Sequence, residues 1–428
     1  MPSSIPPPPL IRPAPQEREI LRELARRLRA HADLPEMERR RTLWEKQNAL
    51  KNRRPLVLCF PEGSWREILP ESVFVCRHPI LRLWEWQLRT RLWTIERLRD
   101  DSFVLPWFDV DWRMTVGNYG FDIPMTYGDD RGSYVWHAPI TDLEAELPKL
   151  NFRAIRVDHA ATARDLEAAH ELFRGILTPR IRTSCWWTLG MTWEASKLIG
   201  LENLMFAMCE HPARVHQIMA FLRDEHLHFI AMCENEGLLT PNDAADYVGS
   251  GGLGATRELR PYGAEHDVGI RLNERWGFAE SQETVGISPK MFEEFVLPYQ
   301  VPLLDKFGFN SYGCCEGLEH RIDAVLKNIP RLRRISVAPS ADQEVLAQKL
   351  DGKYIFSRKP YPAHVCVGFN EAAIRDDLRR TLACAKGQPT EIILKDTHTV
   401  QGEPWRLERW VEIAREEIAR AETPSVHP

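Results

Sequence analysis

Two adjacent thiols, Cys314-Cys315 in the segment YGCCE, are the feature of this chain most suited to chemistry. They stand apart from seven other cysteines at positions 59, 76, 185, 209, 233, 366 and 384, which show no CxxC spacing. A metal site needs three or four converging ligands, and zinc combines cysteine sulfur with histidine nitrogen and an occasional carboxylate. Further groups of that kind follow apolar runs elsewhere. Glu280, Gln282 and Glu283 follow WGFA, Arg358 ends YIFSR, and Asp396 and His398 follow EIILK. Trp187 follows a run at 181–187, while Asn242, Asp243, Asp246 and Tyr247 lie in a long glycine-rich loop at 240–259. Strand alternation puts Tyr312 and Cys314 on one side and Cys315 on the other, unless the strand breaks at Gly313, which makes Cys314 the single pocket-facing candidate. The bland reading of both thiols is that of small buried hydrophobes. His226 and His228, at i and i+2 on a helix, face apart and cannot share a metal. His398 shares a strand-end side with Asp396, which can orient its ring.

The elements that must hold these residues alternate. In the second half the patterns read strand 277–281, helix 289–306, strand 309–314, helix 318–327, strand 334–337, helix 342–350, strand 353–356, helix 371–385, strand 391–394 and helix 406–421. Such a rhythm implies parallel strands with right-handed crossovers. With the earlier strands at 55–60, 103–110 and 181–187 it counts toward eight, so the expected fold is α/β, a (β/α)8 TIM-type barrel with an N-terminal helical extension. Catalytic residues of such a barrel lie where strands run into their following loops, which is where the groups above fall. Three regions are expected: a disordered proline-rich arm over 1–16, a helical extension with the first strand over 17–100, and the barrel over 101–428. Residues 117–139, rich in Gly, Tyr and Asp, read as an irregular or hairpin excursion.

Composition bounds the rest. The 428 residues are 43% hydrophobic and 27% charged, with 56 basic against 61 acidic side chains and a net charge of −5. These values describe a globular chain that can fill a core, and exclude collagen, whole-chain disorder and a polybasic nucleic-acid binder. No stretch nears the roughly 18 apolar residues of a spanning helix, and the N-terminus lacks the regions of a signal peptide. Scattered, odd-numbered cysteines point to a reducing cytoplasm.

Three segments carry a family resemblance. They are RTSCWWTLGMTWEA from Arg182 to Ala195, EHPARVH from Glu210 to His216, and ISPKMFEEFVLPY from Ile287 to Tyr299. Together they resemble the uroporphyrinogen decarboxylase superfamily over about residues 100 to 420. The last is the most specific, and the resemblance implies a (β/α)8 barrel. Within that superfamily the chain looks closest to the corrinoid-dependent methyltransferase-like branch. Members of that branch bind zinc through His-x-Cys at one strand end and a Cys at the last; here Tyr312-Gly313-Cys314 keeps the cysteine and loses the histidine. At the last strand, KDTH offers Asp396 or His398 in place of the second cysteine.

The resemblance therefore implies a zinc-dependent methyltransferase-like enzyme, with zinc held by Cys314 and His398 and assisted by Glu280 or Cys315. Glu280, Tyr312 and Asp396 are the catalytic candidates. Trp187, Asn242, Asp246, Tyr247, Gln282 and Arg358 are the substrate-binding candidates. Its substrate is a methoxy compound, a methylamine or a thiol, its methyl carrier a corrinoid on a partner protein, and a homodimer is open. The alternative is a metal-free decarboxylase of a polycarboxylated tetrapyrrole, for which Arg257, Arg271 and Arg358 are the candidate carboxylate binders and the segment ending in Asp111 is where an aspartate is sought. A third reading is a non-enzymatic scaffold for a corrinoid partner.

Overall fold

Apolar runs such as LVLC and WGFA form interior strands because a parallel strand covered on both faces has no solvent side, while FNSY, IFSR and TEIIL bury polar side chains that find partners inside. In the computed structural model, which describes residues 11–128, 134–184, 186–260 and 268–423, eight strands carry the parallel pairing. These are β1 (Leu56–Cys59), β2 (Trp107–Asp111), β3 (Thr178–Arg182), β4 (Trp276–Ala279), β5 (Phe309–Tyr312), β6 (Leu332–Val337), β7 (Ile355–Arg358) and β8 (Thr390–Leu394). Six form one parallel sheet in the order β1-β8-β7-β6-β5-β4, while β2 and β3 form a separate parallel pair. The strand at 309–314 stops at Tyr312, since Gly313 takes φ +88°, a left-handed conformation natural to glycine.

The mixed α/β architecture and its central parallel sheet are as expected, but among the described residues no closed sheet forms. Two seams interrupt the ladder, and both are bridged by side chains. At the free edge of β1, the amides of Val57 and Cys59 donate to the carboxylates of Asp101 (2.7 Å) and Asp100 (2.9 Å). At the free edge of β4, the Asn242 side chain pairs with both backbone groups of Trp276, at 2.9 and 3.1 Å. Beside it, Thr183 at the end of β3 is tied to Thr240 and to the carbonyl of Leu238. Buried edge amides must find acceptors, and short polar side chains supply them where a neighbouring strand does not run alongside.

The N-terminal helices α1 (Pro15–Ala32) and α2 (Pro35–Asn48) share one core with the sheet. Leu21, Leu24 and Leu28 recur at helical spacing, and with Trp44 they pack among Leu56, Leu58, Phe108 and Val110. Burying each such side chain stabilises the fold by about 1.5–3 kcal/mol. Because β1 pairs with β8, residues before 101 contribute directly to the central sheet. The first ten residues of the proline-rich arm lie outside the described residues, and residues 15 and 16 already belong to α1. The excursion contains the expected hairpin, Met125–Tyr127 against Tyr134–Trp136. Its neighbour at 114–116 pairs with 155–157.

The glycine-rich loop at 240–259 is largely buried and runs against the inward side of the sheet. A side chain at Gly249 would meet the Ser311 hydroxyl at 2.4 Å, and one at Gly252 would meet Glu391 and Arg334 within 2.8 Å. Both glycines also have positive φ. Asn48, at the end of α2, holds the far end of the loop by donating to the carbonyls of Leu253 and Ala255 at 2.8 and 2.7 Å. Long loops inside compact domains serve function or packing; this one does the second and delivers Tyr247 and Ser250 to the first.

Candidate functional site

The turn after β5 and the turn after β8 meet. Cys314 is buried, with Sγ 3.6 Å from the Cys315 sulfur and 3.9 Å from the Lys395 ammonium. Glu316 fixes the turn by accepting from the amides of Cys314 and Ser281, both at 2.8 Å. The hydrogen bond from Cys315, the Lys395 charge and the buried Ser250 hydroxyl lower the Cys314 pKa against the opposing effect of burial. The exposed Cys315 shifts the opposite way, raised first by the same hydrogen bond and then by burial of its sulfur and the neighbouring charge. Cys314 is therefore the more acidic thiol of the pair, with the Lys395 ammonium beside it.

Lys395 is itself held by a ring of acceptors. Burial works against its charge, but Tyr247, Cys314, Asp396 and Glu62 together raise its pKa. Asp396 has φ +57° and donates its amide to Glu62 Oε2 at 2.8 Å. Burial raises the Glu62 carboxyl, with Asp396 adding to the rise and Lys395 opposing it. Tyr247 is part-exposed, stacks edge-on against Phe60 at 5.0 Å, and has its phenol raised by burial.

Tyr247 also borders a cavity of about 700 Å³ whose other walls include Trp187, Asp109, Asp111, Arg182 and Phe278. Trp187 is 47% exposed and meets Phe278 edge-on at 5.3 Å. Asp246 pairs with Arg182, and Arg180 donates to Asp109 at 2.7 Å. Asp111 accepts from Ser184 at 3.2 Å; burial raises its carboxyl.

The sequence candidates divide accordingly. Cys314, Cys315, Asp396 and Tyr247 come together, while Trp187 and Asp246 line the adjoining cavity. Asn242 reaches that cavity too, with its amide engaged by Trp276. Tyr312 is fully buried on the helix side of the sheet, donating its hydroxyl to Gln300 at 2.7 Å; Gln300 in turn donates to the carbonyls of Gly190 and Glu280. It is a strut beneath the site, because the chain turns at Gly313 before reaching Cys314. Arg358 likewise faces the helices, donating to Asp377 at 2.7 Å and to the carbonyl of Ala338. Glu280 is buried and accepts from the Gln282 amide at 2.9 Å; burial, then Glu283 and Glu316, raise it far above the carboxylate range. Gln282 turns its side chain to Glu283. His398 is exposed and packs against Gly63.

These positions do not fit the expected zinc. Among the described residues no three His, Cys, Asp or Glu side chains converge. Only the two cysteines of the expected set meet, and an ammonium sits beside Cys314 where a cation would bind. Lys395, Glu62, Glu316 and Ser250 were not among the candidates. Lys395 and Glu316 could have been found from their adjacency to Asp396 and Cys315 in the strand-end motifs, whereas nothing local marks Ser250.

No protein-family model and no curated protein matches the chain, so its likeness to the uroporphyrinogen decarboxylase superfamily remains a resemblance of motifs. Among solved structures, a methyltransferase from Methanosarcina mazei aligns at a TM-score of 0.49 and 11% identity, covering 89% of this chain and 99% of that one. A likeness at that level leaves the reaction to be argued from the site. No helix among the described residues is long and apolar enough to cross a membrane.

Proposed function

We propose that the chain is a methyl-transferring enzyme whose nucleophile is the Cys314 thiolate. The observation carrying this reading is the Cys314 sulfur beside the Lys395 ammonium at the ends of two parallel strands, with Tyr247 shared between that cluster and an aromatic-walled cavity. A methoxy, methylamine or methylthio substrate binds between Tyr247 and Trp187. The thiolate attacks the methyl carbon, and the bond from that carbon to the heteroatom breaks with its electron pair on the leaving group. The Glu62 carboxyl, which burial raises, is assigned the proton transfer to the leaving group and regains a proton from water before the next turnover. An acceptor, either a small thiolate or a corrinoid on a partner protein, then displaces the methyl group and the sulfur recovers its electron pair. Two successive displacements predict ping-pong kinetics. Incubation with methylated substrates in the absence of acceptor should leave one methyl group on Cys314 by peptide mass mapping, and Cys314→Ser should abolish turnover. A Cys314→Ser protein that turns over normally would sink the reading.

One observation favours a second reading, a metal-free decarboxylase of a polycarboxylated tetrapyrrole. Arg182, Arg275, Asp109 and Asp111 line the same cavity. The arginines first named for this role lie elsewhere: Arg257 donates to Glu45, Arg271 approaches Glu234, and Arg358 engages Asp377. Release of carbon dioxide from such a tetrapyrrole, surviving Cys314→Ser, would select it.

A further inference from the structure

We propose that Cys314 and Cys315 form an oxidisable vicinal dithiol, a modification site at which a hydroperoxide closes a disulfide between adjacent residues. The two sulfurs already lie 3.6 Å apart, so closure to the roughly 2.05 Å of a disulfide needs small rotations about the side-chain bonds. Their environments differ in the way a two-step oxidation requires. Cys314 is buried with the Lys395 ammonium at 3.9 Å, which favours its charged, attacking form. Cys315 is exposed, where it can resolve the intermediate. Among the described residues, Cys314 and Cys315 are the pair whose sulfurs lie within hydrogen-bonding reach of each other.

The chemistry balances. Cys314 sulfur attacks the distal oxygen of ROOH, the O–O bond breaks, and ROH leaves after taking one proton; Cys314 becomes a sulfenic acid. Cys315 sulfur then attacks Cys314 sulfur, the S–O bond breaks, and the hydroxyl leaves as water with the Cys315 proton. The dithiol loses two electrons and the peroxide gains them. Adjacent cysteines close a small strained ring, and strained or exposed disulfides are the readily reduced, labile ones. The bridge is therefore reversible by a dithiol reductant, and Glu316, which holds the Cys314 amide, keeps the turn in place through the cycle. Formation of the bridge does not depend on the methyl-transfer reading; its consequence for turnover rests on that reading, since a bridged Cys314 has no thiolate.

The test uses the full chain and hydrogen peroxide. Intact mass should fall by two hydrogens, peptide mapping should place the link between Cys314 and Cys315, and dithiothreitol should restore both thiols. Cys315→Ser should instead trap a sulfenic acid on Cys314 that reacts with dimedone. Phenylarsine oxide, which condenses with paired thiols and releases water, should bind the reduced wild type and not the Cys315→Ser variant. A link between other cysteines, or over-oxidation of Cys314 in the wild type with no bridged species, would overturn the proposal. If the bridge forms while methyl transfer is unaffected, the dithiol stands and the role given to Cys314 in turnover falls.

Discussion

Lys395 and Cys314 share a buried corner, the ammonium 3.9 Å from the sulfur. Removing the ammonium should leave burial and the nearby Glu316, which raise the thiol, opposed only by the hydrogen bonds from Cys315 and Ser250. Lys395→Met is therefore expected to shift the pH dependence of Cys314 alkylation by iodoacetamide upward by about one unit or more, with the thiolate fraction at neutral pH falling about tenfold or more. Rates measured residue by residue against pH check this, and an unchanged profile would mean that Lys395 is not the counter-ion. The motif YGCCE made Cys314 legible as a candidate, and the condition attached to its orientation, a strand break at Gly313, is the one that applies. Alternation from Tyr312 puts Cys314 on the same face, whereas Tyr312 points into the helices and Gly313 reverses the direction of the chain. A glycine with positive φ resets side-chain parity, and only the backbone angle shows that it has done so. Lys395 escaped notice because its partner lies on a strand end 81 residues away.

At the scale of elements, the rhythm of strands and helices was legible, because short apolar runs such as LVLC and WGFA stand between longer helical patterns and are too short to be helices themselves. What the rhythm could not reveal was where neighbours fail to pair. The seam at β1 depends on two consecutive aspartates, and Asp100 serves both the Cys59 and the Ser102 amides. Asp100→Ala leaves the buried Cys59 amide without its acceptor and is expected to destabilise the fold by about 1–3 kcal/mol, with Asp100→Asn recovering part of the loss. Urea denaturation of the three proteins distinguishes them. Equal midpoints would show that the seam is closed by something other than this carboxylate. The break at Val296, which divides the expected helix 289–306 into Pro289–Phe295 and Leu297–Leu304, likewise depends on local backbone angles and not on hydrophobic period.

For the whole molecule, the segment 114–157 is fastened to the helix Pro212–Asn235 by a bidentate contact. Arg153 donates to both oxygens of Glu225 at 2.7 Å and lies over the rings of Tyr119 and Phe229 at 4.9 Å. Although burial opposes it, hydrogen bonds from His226 and Arg153 carry the Glu225 carboxyl down to about 2. A depressed carboxylate contributes stability that is present above its unfolded pKa and is lost as pH falls through the folded one. Melting temperature should accordingly decline as pH drops from about 4.5 toward about 2, and Glu225→Gln should flatten the part of that decline due to this group. Calorimetry across the acid limb measures it, and parallel limbs for the two proteins would remove Glu225 from the account.

The glycine loop has a consequence for synthesis on the ribosome. Its contacts reach back to Asn48 and forward to Ser311, Arg334 and Glu391, so it can seat only after β8 has emerged. Until then Leu253 and Ala255 have only part of their final cover, and the first 260 residues must wait, partly assembled, for the last strand. Folding dominated by contacts so distant in sequence is slow, and the waiting chain is a client for chaperones.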